Sequence, residues 1–569
     1  MSPVRSKNRW RIAEVDHAAS AALAKSVDVP PIVGHLLVQR GVTTPEAARR
    51  FLSPGLDQLS DPASLTDMAN AVERITRAKD AGERVLIFGD YDVDGITATA
   101  LLLNGLRRFG IDDVVHGMPL RLTEGYGLGE EHVDAARDDG VSLIITVDNG
   151  ISAHAAARRA SELGIDLIVT DHHSIENGLP EAVAVLNPKR EAESHPAWHL
   201  CGAGVAFKLS MALNGTPNDL DIAALGTVSD IVPLLGENRA IVALGLRHMA
   251  KHRRLGIEKL AWASKIDLET VSSEQIGFQL GPRLNAAGRL DNALTALKLI
   301  MAECPDEARA MAQELDAANS ERRQIEQEIH DQAVADLDPF LREEQRGIVV
   351  ARRGWHAGVI GIVASRLQRR YGRPVVMIAI DDDGIGRGSA RSGPGFDMVG
   401  ALAACQEHLV QFGGHRAAAG MTIAEDAVDA FRAAFEQEAR RQLGDGELLT
   451  ELEIDVLSAF SEIDSALLGA LSRLEPFGHH NPSPLFCSLG VEAVPQSVRV
   501  LKDQHLKLTL RQGGRTFPAI AFGMAEHYYT TDLSRPIDVA YTPQFNTWRN
   551  ETTIQLLIRD IRTADGSAA

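Results

Sequence analysis

Four short apolar runs, separated by segments with helical spacing, constrain the fold of this chain more than any other feature. The runs lie in RVLIFGD, SLIITVDNG, IDLIVTDHH and AVAVLNP, and each ends in polar or turn-forming residues. Between them lie segments such as AHAAARRASELG, in which apolar residues recur at helical intervals before a glycine. This alternation, from about residue 84 to 235, predicts a parallel sheet covered by helices on both faces.

The chain of 569 residues exceeds what one hydrophobic core accommodates, so we expect several domains. Residues 305–338 contain no internal Pro or Gly and predict a long connecting helix. A second α/β segment follows, with RGIVVARR and RPVVMIAIDDDG as strands and GVIGIVASRLQRRYG as a helix. After EPFGHHNPSPLF the pattern changes to short alternating strands, typical of a small β-barrel. The predicted units are an N-terminal segment (1–45), an α/β domain (46–250), a helical connector (251–340), a smaller α/β domain (341–465) and a β-domain (466–569).

Composition excludes some classes of protein and leaves others open. Charged residues make up 24% and hydrophobic residues 45%, as in soluble globular proteins. No apolar run reaches the ~18 residues of a membrane span, and the N-terminus has no apolar signal region, so we expect a cytoplasmic protein without a membrane partner. The net charge of −19 does not exclude a nucleic acid, because such enzymes can be basic only along a groove. The cysteines form no CxxC pair and are expected to be reduced, buried thiols. They are Cys201, Cys304, Cys405 and Cys487.

Three carboxylates on alternate positions follow the first apolar run. Asp90, Asp92 and Asp94 stand in GDYDVDG, so in an extended chain they point the same way, about 6–7 Å apart. Their mutual repulsion favours protonation or local unfolding unless a cation holds them. One of them would suit the N-cap of the next helix, but three at a period of two fit that role poorly.

Further acids and imidazoles end the neighbouring runs. Asp148 follows the second run, Asp171, His172 and His173 follow the third, and Asp230 lies in ALGTVSDIVPL. The carboxyl ends of parallel strands meet at the edge where open α/β sheets bind their ligands. Carboxylates with one or two imidazoles and no thiolate suit Mn²⁺ or Mg²⁺ better than structural zinc. Each residue taken alone is equally well a cap, turn or core residue, but the whole set is not.

Such a site has more carboxylates than one ion needs. Two ions about 3.5–4 Å apart could share a bridging aspartate, activate a water and stabilise the charge on a phosphoryl group. The sequence therefore predicts phosphoryl chemistry at this edge of the sheet.

The motifs resemble those of the DHH phosphoesterase superfamily. DYDVDG, VDNG, TDHH and SDIVPL have the order and spacing of its catalytic domain, and GPRLNAAGRL, GWHAGVIGIVASRL, GSARSG and FGGHRAAAG resemble its DHHA1 domain. With LEPFGHHNPSPLF and a terminal domain that looks like an OB-fold, the chain from about residue 45 onward resembles the RecJ family of bacterial single-strand-specific 5′→3′ exonucleases. The resemblance implies a parallel-sheet DHH domain, a long connecting helix, a smaller α/β DHHA1 domain and a C-terminal all-β OB-fold.

The resemblance also implies two divalent cations, Mn²⁺ or Mg²⁺, and a role for each acid and imidazole. Asp92 and Asp94 would each favour a different ion, with Asp148 as the bridge. The implied metal ligands are Asp92, Asp94, Asp148, His172 and Asp230. Asp90 would lie within reach, as a ligand or behind one. His173 would hydrogen-bond a phosphate oxygen or orient the attacking water.

Glycine-rich stretches of the DHHA1 part are predicted loops that hold the substrate. GRGSARSG would place two guanidinium groups and backbone N–H groups around a terminal phosphate. For one isolated loop a solvated turn is an equally good interpretation. The candidate residues are Arg283, Asn285 and Arg289 from GPRLNAAGRL, with Arg289 counted among the catalytic groups, Arg387, Ser389 and Arg391 from GRGSARSG, and Gly414 and His415 from FGGHRAAAG.

Two further regions are expected to contact the strand. By resemblance Arg121 would help to hold the 5′ end and Tyr126 would stack on a base, although Leu120 and Leu122 stand where relatives commonly carry Asn and Phe. A tyrosine packing on its own domain is an equal alternative. In the β-domain, basic residues and aromatics are candidates for single-strand binding, although a tryptophan such as Trp548 is more often part of the core in a small barrel. These candidates are Arg499, Lys502, Lys507, Arg511, Tyr541, Phe545, Trp548 and Arg549.

Three functions are compatible with these features. The first is a metal-dependent 5′→3′ exonuclease that degrades single-stranded DNA to 5′-mononucleotides in recombination and repair. The second is a small-molecule phosphodiesterase or oligonucleotidase of the same superfamily, which has no use for a single-strand-binding domain. The third is a non-catalytic scaffold, against which the filled ligand positions argue. The expected partner is single-stranded DNA with a 5′ end, and the family suggests a single-strand-binding protein, a helicase and a monomeric state.

Overall fold

The computed structural model of this chain describes residues 7–119, 127–290, 293–339, 341–342, 344–444, 446, 449–548 and 551–564. Its strands are β1 (Lys7–Ile12), β2 (Val85–Phe88), β3 (Val114–Gly117), β4 (Leu143–Val147), β5 (Asp166–Thr170), β6 (Ala184–Leu186), β7 (Ile348–Arg353), β8 (Val375–Ile380), β9 (Ile385–Arg391), β10 (Gln411–Gly414), β11 (Ala418–Ala424), β12 (Leu449–Ile454), β13 (Val456–Leu457), β14 (Phe486–Ala493), β15 (Arg499–Leu501), β16 (His505–Gln512), β17 (Arg515–Ala521), β18 (Ile537–Trp548) and β19 (Glu551–Thr563).

The helices are α1 (His17–Ser26), α2 (Pro31–Gln39), α3 (Pro45–Leu52), α4 (Met68–Ala81), α5 (Val93–Phe109), α6 (Glu130–Asp138), α7 (His154–Leu163), α8 (Gly202–Asn214), α9 (Leu220–Ser229), α10 (Gly236–Lys251), α11 (Leu255–Ser264), α12 (Ser273–Gln275), α13 (Gly281–Leu290), α14 (Leu294–Ile300), α15 (Pro305–Leu337), α16 (Ala357–Tyr371), α17 (Met398–Ala404), α18 (Val428–Leu443), α19 (Ser465–Leu471) and α20 (His527–Thr530). A π-helical turn over Ile276–Leu280 joins α12 to α13.

The first sheet is entirely parallel, in the order β3-β2-β4-β5-β6. Strands β2 and β4 are buried along their whole length, which explains why they are continuous apolar runs rather than alternating ones. The chain runs from β2 to β3 on one side of it and then crosses to β4 on the other side. The topological switch point therefore lies between β2 and β4. The predicted parallel sheet is confirmed, and its ligand-binding edge is where the acidic motifs follow the strands.

Helices cover both faces of this sheet, as predicted. Val85 and Ile87 point into one core, which they share with α5 and α8. Leu86 and Phe88 point into the other, which they share with α6 and α7. Alternate residues of one strand therefore belong to two cores, as the two-residue period of a strand requires.

The predicted long helix is α15, and it leads from the first α/β domain to the second. Helix α13 packs against α5, α15 and α16, so it touches both domains. The second domain has a sheet in the order β10-β11-β9-β8-β7, in which only β7 and β8 are parallel. Helix α16 covers one face, and α17 and α18 cover the other.

Two segments predicted as glycine-rich loops are regular structure. Arg387, Ser389 and Arg391 of GRGSARSG lie on strand β9, and Arg283, Asn285 and Arg289 of GPRLNAAGRL lie on helix α13. The glycines of β9 serve close packing: a Cβ on Gly386 would lie 2.7 Å from Ile378 Cγ2, and one on Gly388 would lie 2.6 Å from Met421 Cγ. The loop prediction was wrong because it treated glycine only as a turn residue.

The C-terminal domain is a closed barrel. Strands β14, β16, β17, β19 and β18 pair in that order, and β18 pairs back with β14. The β17–β19 pair is parallel, and this strand order is that of an OB-fold. Tyr541 was a wrong candidate for stacking, because it is fully buried and its hydroxyl lies 2.8 Å from Ser488 Oγ.

The N-terminal segment joins the barrel side of the molecule. Strand β1 pairs in parallel with β12, and buried residues of α2 and α3 belong to the same core as the barrel strands. Within the described residues no single helix is long and apolar enough to cross a bilayer, while the bent pair α1–α2 meets that criterion together. Three cysteines are buried, but Cys304 is exposed because it precedes α15 in a surface turn, which corrects the expectation of four buried thiols.

Candidate metal centre and strand-binding surfaces

The acidic turn after β2 is held in one conformation by its own side chains. Asp92 is the N-cap of α5, and its Oδ1 accepts hydrogen bonds from the N–H groups of Asp94 (2.9 Å) and Gly95 (3.2 Å). A Cβ on Gly95 would lie 2.5 Å from the carbonyl oxygen of Asp90, so the turn closes tightly. The cap interpretation thus applies to Asp92, while Asp90 and Asp94 are buried beside it.

A second helix fixes the carboxylate of Asp94. The N–H groups of Gly202 and Ala203, at the start of α8, donate to its two oxygens at 2.6 and 2.9 Å. The positive end of a helix stabilises a carboxylate at this position. The sequence reasoning missed this role of α8, and its signal is the small-residue run that follows Cys201, the N-cap of the helix.

Asp148 lies at the end of β4 in the left-handed region, with φ of 61°, and is buried. The start of α8 packs directly on it, since a Cβ on Gly202 would lie 2.5 Å from the Cβ of Asp148. The neighbouring Asn149 amide donates to the carbonyls of Phe88 (3.1 Å) and Val147 (2.9 Å), which ties the ends of β2 and β4 together. The two acidic turns therefore keep a fixed relation to each other.

The third motif, after β5, is organised by Asp171. Its Oδ1 accepts from the N–H groups of His172 (2.7 Å) and His173 (3.1 Å) and lies 2.7 Å from Nδ1 of His173, while Oδ2 accepts from Ile151 N. Burial acts against the charged form of both partners, but the bond between them lowers the pKa of Asp171 and raises the pKa of His173. Asp171, which has no separate role among the sequence-based predictions, orients His173.

The predicted acids and imidazoles converge on one place. Nε2 of His172 lies 3.1 Å from Asp148 Oδ1 and 3.7 Å from both Asp94 Oδ2 and Asp230 Oδ2. Within this cluster, three sets of residues offer ligand atoms that all lie within 4.8 Å of one another. The sets are Asp94–His172–Asp230, Asp90–Asp92–Asp148 and Asp148–His172–His173. Asp148 and His172 each occur in two sets, so the cluster forms adjoining ligand groups.

The electrostatics of this cluster fit divalent cations. Burial, and then the neighbouring carboxylates, raise the pKa of Asp148 far above its usual range and that of Asp230 to about 9. Burial lowers the pKa of His172, whose Nε2 is buried and has no hydrogen-bond partner among the described residues. A neutral imidazole and crowded carboxylates are the donor set that Mn²⁺ or Mg²⁺ takes.

In the second α/β domain, the side chains of Ser389 and Arg391 lie together on one face of β9. Nη1 of Arg391 donates to Ser389 Oγ at 3.2 Å, and both pack on α16, where a Cβ on Gly361 would lie 2.8 Å from Ser389 Oγ. Ala418 pairs with Arg391 across the sheet, which places the turn that carries His415 next to this pair.

Gly414 occupies that turn for two reasons. Its φ is 143°, and a Cβ there would lie 2.5 Å from the carbonyl oxygen of Ala418. Arg387, further along β9, is exposed on the same face.

Other predicted residues have different partners. Nε of Arg283 donates to Asp316 of α15 at 2.9 Å, so its guanidinium is engaged in a structural ion pair. Oδ1 of Asn285 accepts from Val93 N at 3.1 Å and thereby supports the acidic turn. Arg121, Tyr126 and Arg549 lie outside the described residues, as do the side chains of Arg289 and Trp548.

The barrel offers a groove of about 420 Å³ on its outer face. It is lined by Lys507, Pro518, Asn546, Glu551, Thr553 and Gln555. Phe545 is exposed on the same strand as Asn546, and Arg499 lies opposite Lys507 on the neighbouring strand. Arg511 is exposed but paired with Glu492 at 2.7 Å. Basic groups thus adjoin the groove, while Phe545 pairs with Ile554 on the opposite face of β18.

Comparison with known proteins gives matches along the whole chain. Three family models match: the DHH family N-terminal domain over residues 84–227, the DHHA1 domain over 344–441 and the RecJ OB domain over 454–560. The chain is 37% identical to the single-stranded-DNA-specific exonuclease RecJ of Bacillus subtilis, over 98% of this chain and 71% of that protein. It is 35% identical to the protein of the same name from Salmonella typhimurium, over 98% and 100%.

Solved structures give the same result. RecJ from Thermus thermophilus in complex with Mn²⁺ superposes with a TM-score of 0.84 at 30% identity, over 98% of this chain and 80% of that one. Its complex with Mg²⁺ has a TM-score of 0.78 at 29% identity, over 98% and 79%.

Proposed function

Because this chain belongs to the RecJ family of single-stranded-DNA-specific exonucleases, we propose that it hydrolyses single-stranded DNA from the 5′ end. The reaction depends on Mn²⁺ or Mg²⁺ and releases 5′-mononucleotides, in recombination and repair. The observation that carries the proposal is the cluster in which Asp148 and His172 join adjoining sets of metal ligands. A scaffold without activity would not need this filled set.

We propose that the cluster holds two divalent cations, with Asp148 between them. Asp90 and Asp92 belong to the set on one side of Asp148, and Asp94, His172 and Asp230 form the set on the other. The two ions, when bound, supply Lewis-acid stabilisation of the phosphoryl charge and acidify the attacking water. The protein holds the carboxylates ready, since α8 fixes Asp94 and the cap of α5 fixes Asp92.

His173 acts on the scissile phosphate. The Asp171 carboxylate fixes its Nδ1 as a hydrogen-bonded nitrogen and so orients the ring, and Nε2 is the nitrogen that we assign to the substrate. A raised pKa keeps the imidazole a good donor, so Nε2–H would stabilise the charge that develops on a nonbridging phosphate oxygen.

We propose that the terminal phosphate of the strand is held by Ser389, Arg391 and the turn of Gly414 and His415. A guanidinium beside a hydroxyl and a close backbone suits a phosphate dianion. Helix α16 holds Ser389 and Arg391, and α13 connects α16 to the helix that follows the acidic turn. On this proposal the phosphate site and the metal centre act on one strand, since α13 contacts the helices next to both.

The barrel binds the rest of the strand. Its groove contains Lys507, and Arg499 lies opposite Lys507 on the neighbouring strand. Single-strand binders of this fold use a basic groove of this kind. A small-molecule phosphodiesterase would have no use for this domain, which favours the strand as substrate.

Incubation of the purified protein and Mn²⁺ with oligonucleotides labelled at the 5′ or the 3′ end tests the proposal. We expect the 5′ label to appear at once as a mononucleotide, while the 3′ label moves through a ladder of shortening products. A blunt duplex should be cut far more slowly. A mononucleotide released first from the 3′ end, or equal rates on duplex, would contradict the proposal.

We further propose a cytoplasmic monomer that acts with a single-strand-binding protein and a helicase. Unpaired cysteines are typical of a reducing compartment. Light scattering of the purified protein, and co-purification with each partner, test these points.

A further inference from the structure

The segment that joins the second α/β domain to the barrel passes close to the metal centre. The guanidinium of Arg239, on α10, holds this segment by donating to four of its carbonyl groups, those of Arg473, Leu474, Glu475 and Pro476. Ser273 Oγ donates to the carbonyl of Phe477 at 2.6 Å, and Leu234 N donates to that of His479 at 2.9 Å. The segment is therefore fixed against the elements that surround Asp230.

Ile231, the residue after Asp230, has a strained backbone and an exposed side chain. Its φ is 60°, which is unusual for a β-branched residue, and its side chain is 69% exposed. The imidazole of His479 lies against the backbone of Ile231. Strain of this kind persists where the surroundings enforce it and clusters at ligand sites. Here it displays an apolar side chain beside a residue of the metal cluster.

An exposed aromatic ring lies at the same end of α9. Phe278 stands on the π-helical turn of Ile276–Leu280 and is 76% exposed. This turn packs on the last turn of α9: a Cβ on Gly277 would lie 3.6 Å from Val228 Cγ1, and one on Gly281 would lie 2.9 Å from Ser229 Oγ. Turns of this type are frequent at functional sites. The ring of Phe278 is therefore mostly in contact with water rather than with the described part of the protein.

Basic groups flank these residues. His199 lies close enough to Lys189, His479 and His480 that, after burial, their charges lower its pKa, and Glu193 is the acidic group that opposes them. Lys189 Nζ donates to the carbonyl of Trp198 at 2.9 Å and lies 4.7 Å from the centre of its ring. His199 and His480 are exposed. Lys189 offers an ammonium group to the phosphates of a nucleic-acid backbone, and the exposed imidazoles of His199 and His480 offer them hydrogen bonds.

We propose that Ile231, Phe278 and His479 form a subsite for an unpaired nucleotide on the 3′ side of the scissile phosphate. The base packs on Phe278 and Ile231, and the backbone phosphate faces Lys189, His199 and His480. We place the subsite on the 3′ side because the segment leads in the chain from the surroundings of Asp230 to the barrel, which is proposed to bind the rest of the strand. Because paired bases do not expose their faces, the subsite favours single strands. The inference rests on the proposed function and deepens it.

Abasic scanning tests the subsite. Six single-stranded oligonucleotides each carry one abasic residue, at a different one of the first six positions from the 5′ end. KM and kcat for the first cleavage of each are measured with Mn²⁺. For the unchanged protein we expect one position at which the abasic residue raises KM about tenfold, the order of one lost stacking contact. Phe278→Ala should raise KM for intact DNA by the same factor, with kcat within twofold of the unchanged protein. In this variant, an abasic residue at the sensitive position should cause no further rise in KM.

Two variants and a binding assay complete the experiment. Ile231→Gly removes the side chain and relieves the backbone strain, so it should fold and raise KM in the same direction. Leu56→Ala, at another exposed apolar position, should behave as the unchanged protein. Fluorescence anisotropy of the same oligonucleotides in EDTA reports binding without cleavage. An identical abasic profile in Phe278→Ala and the unchanged protein, in both assays, would overturn the subsite, whereas position-dependent binding without any cleavage would contradict only the proposed function.

Discussion

Oδ1 of Asp171 lies 2.7 Å from Nδ1 of His173, and the same oxygen accepts the backbone N–H groups of both histidines that follow it. One carboxylate therefore fixes the orientation of an imidazole ring and the backbone that carries the neighbouring His172. The pKa of His173 is raised by this contact in spite of its burial.

Replacing Asp171 by Asn should lower kcat by about 10- to 100-fold, the usual cost of losing a group that orients a catalytic side chain. The amide cannot hold His173 in the same charge and tautomer, while KM for single-stranded DNA should change little. Steady-state cleavage of a 5′-labelled oligonucleotide measures both constants. Asp134→Asn, an exposed carboxylate paired with Arg159, is the matched control. A kcat within twofold of the unchanged protein would exclude the orienting role.

Replacing Asp148 by Ala should abolish cleavage, by at least about 10³-fold, while single-strand binding persists, because the residue joins two sets of metal ligands. Folding should survive in EDTA, since the change removes a crowded, buried carboxyl group. Cleavage, anisotropy and thermal unfolding report the three properties. The control is Asp138→Ala on the exposed side of α6. Activity within tenfold of the unchanged protein would rule out the bridging position.

The stability of the metal-free protein should fall as the pH rises. The pKa of Asp230 is raised from 3.8 to about 9, first by burial and then by Asp94 and Asp92. Between about pH 4 and pH 9 the folded state keeps a proton on Asp230, whereas the unfolded state has already released it. The free energy of unfolding therefore decreases as the pH rises across this window. Thermal unfolding in EDTA at several pH values should show the decrease, and Asp230→Asn should reduce it.

Addition of Mn²⁺ should raise Tm most at the alkaline end of the same window, because the ions replace the protons among the carboxylates. A metal-induced shift in Tm that is independent of pH, or larger at pH 5 than at pH 8, would contradict this account.

Replacing Gly361 by Val should weaken recognition of the strand end. A Cβ there would lie 2.8 Å from Ser389 Oγ and 3.1 Å from Arg391 Nη2, so the two side chains must move. Loss of one charge-assisted hydrogen bond corresponds to an increase in KM of about tenfold or more. The increase should be larger for 5′-phosphorylated than for 5′-hydroxyl oligonucleotides. Ser365→Ala, on the same helix, is the control, and equal effects on both substrates would refute a phosphate site here.

The sequence was most informative where local pattern and tertiary environment agree. Strands β2 and β4 are buried on both faces, so they read as continuous apolar runs, and the acids that follow them had to meet at one edge. Asp94 and Asp148 were therefore found from position alone. The partners of Asp94 at the start of α8 were not, because backbone N–H donors leave no side-chain signature.

Contacts between distant parts of the chain account for the remaining differences. Arg283 pairs with Asp316 on another helix, and β1 pairs with β12, which no local pattern announces. In β9 the glycines reflect the large side chains of Ile378 and Met421 opposite them, so a segment that looks like a loop is a strand. The burial of Tyr541 could not be predicted from local sequence either, since it follows from closure of the barrel.

Helix α13 touches the helix after the acidic turn on one side and α16 on the other, and its Asn285 holds the backbone of that turn. On the proposed function, α13 sets the distance between the residues that bind the strand end and the metal centre, because a single rigid helix contacts the elements that carry both. The length of the released fragment then follows from this distance. A longer or shorter α13 would therefore change the product and not only the rate of cleavage.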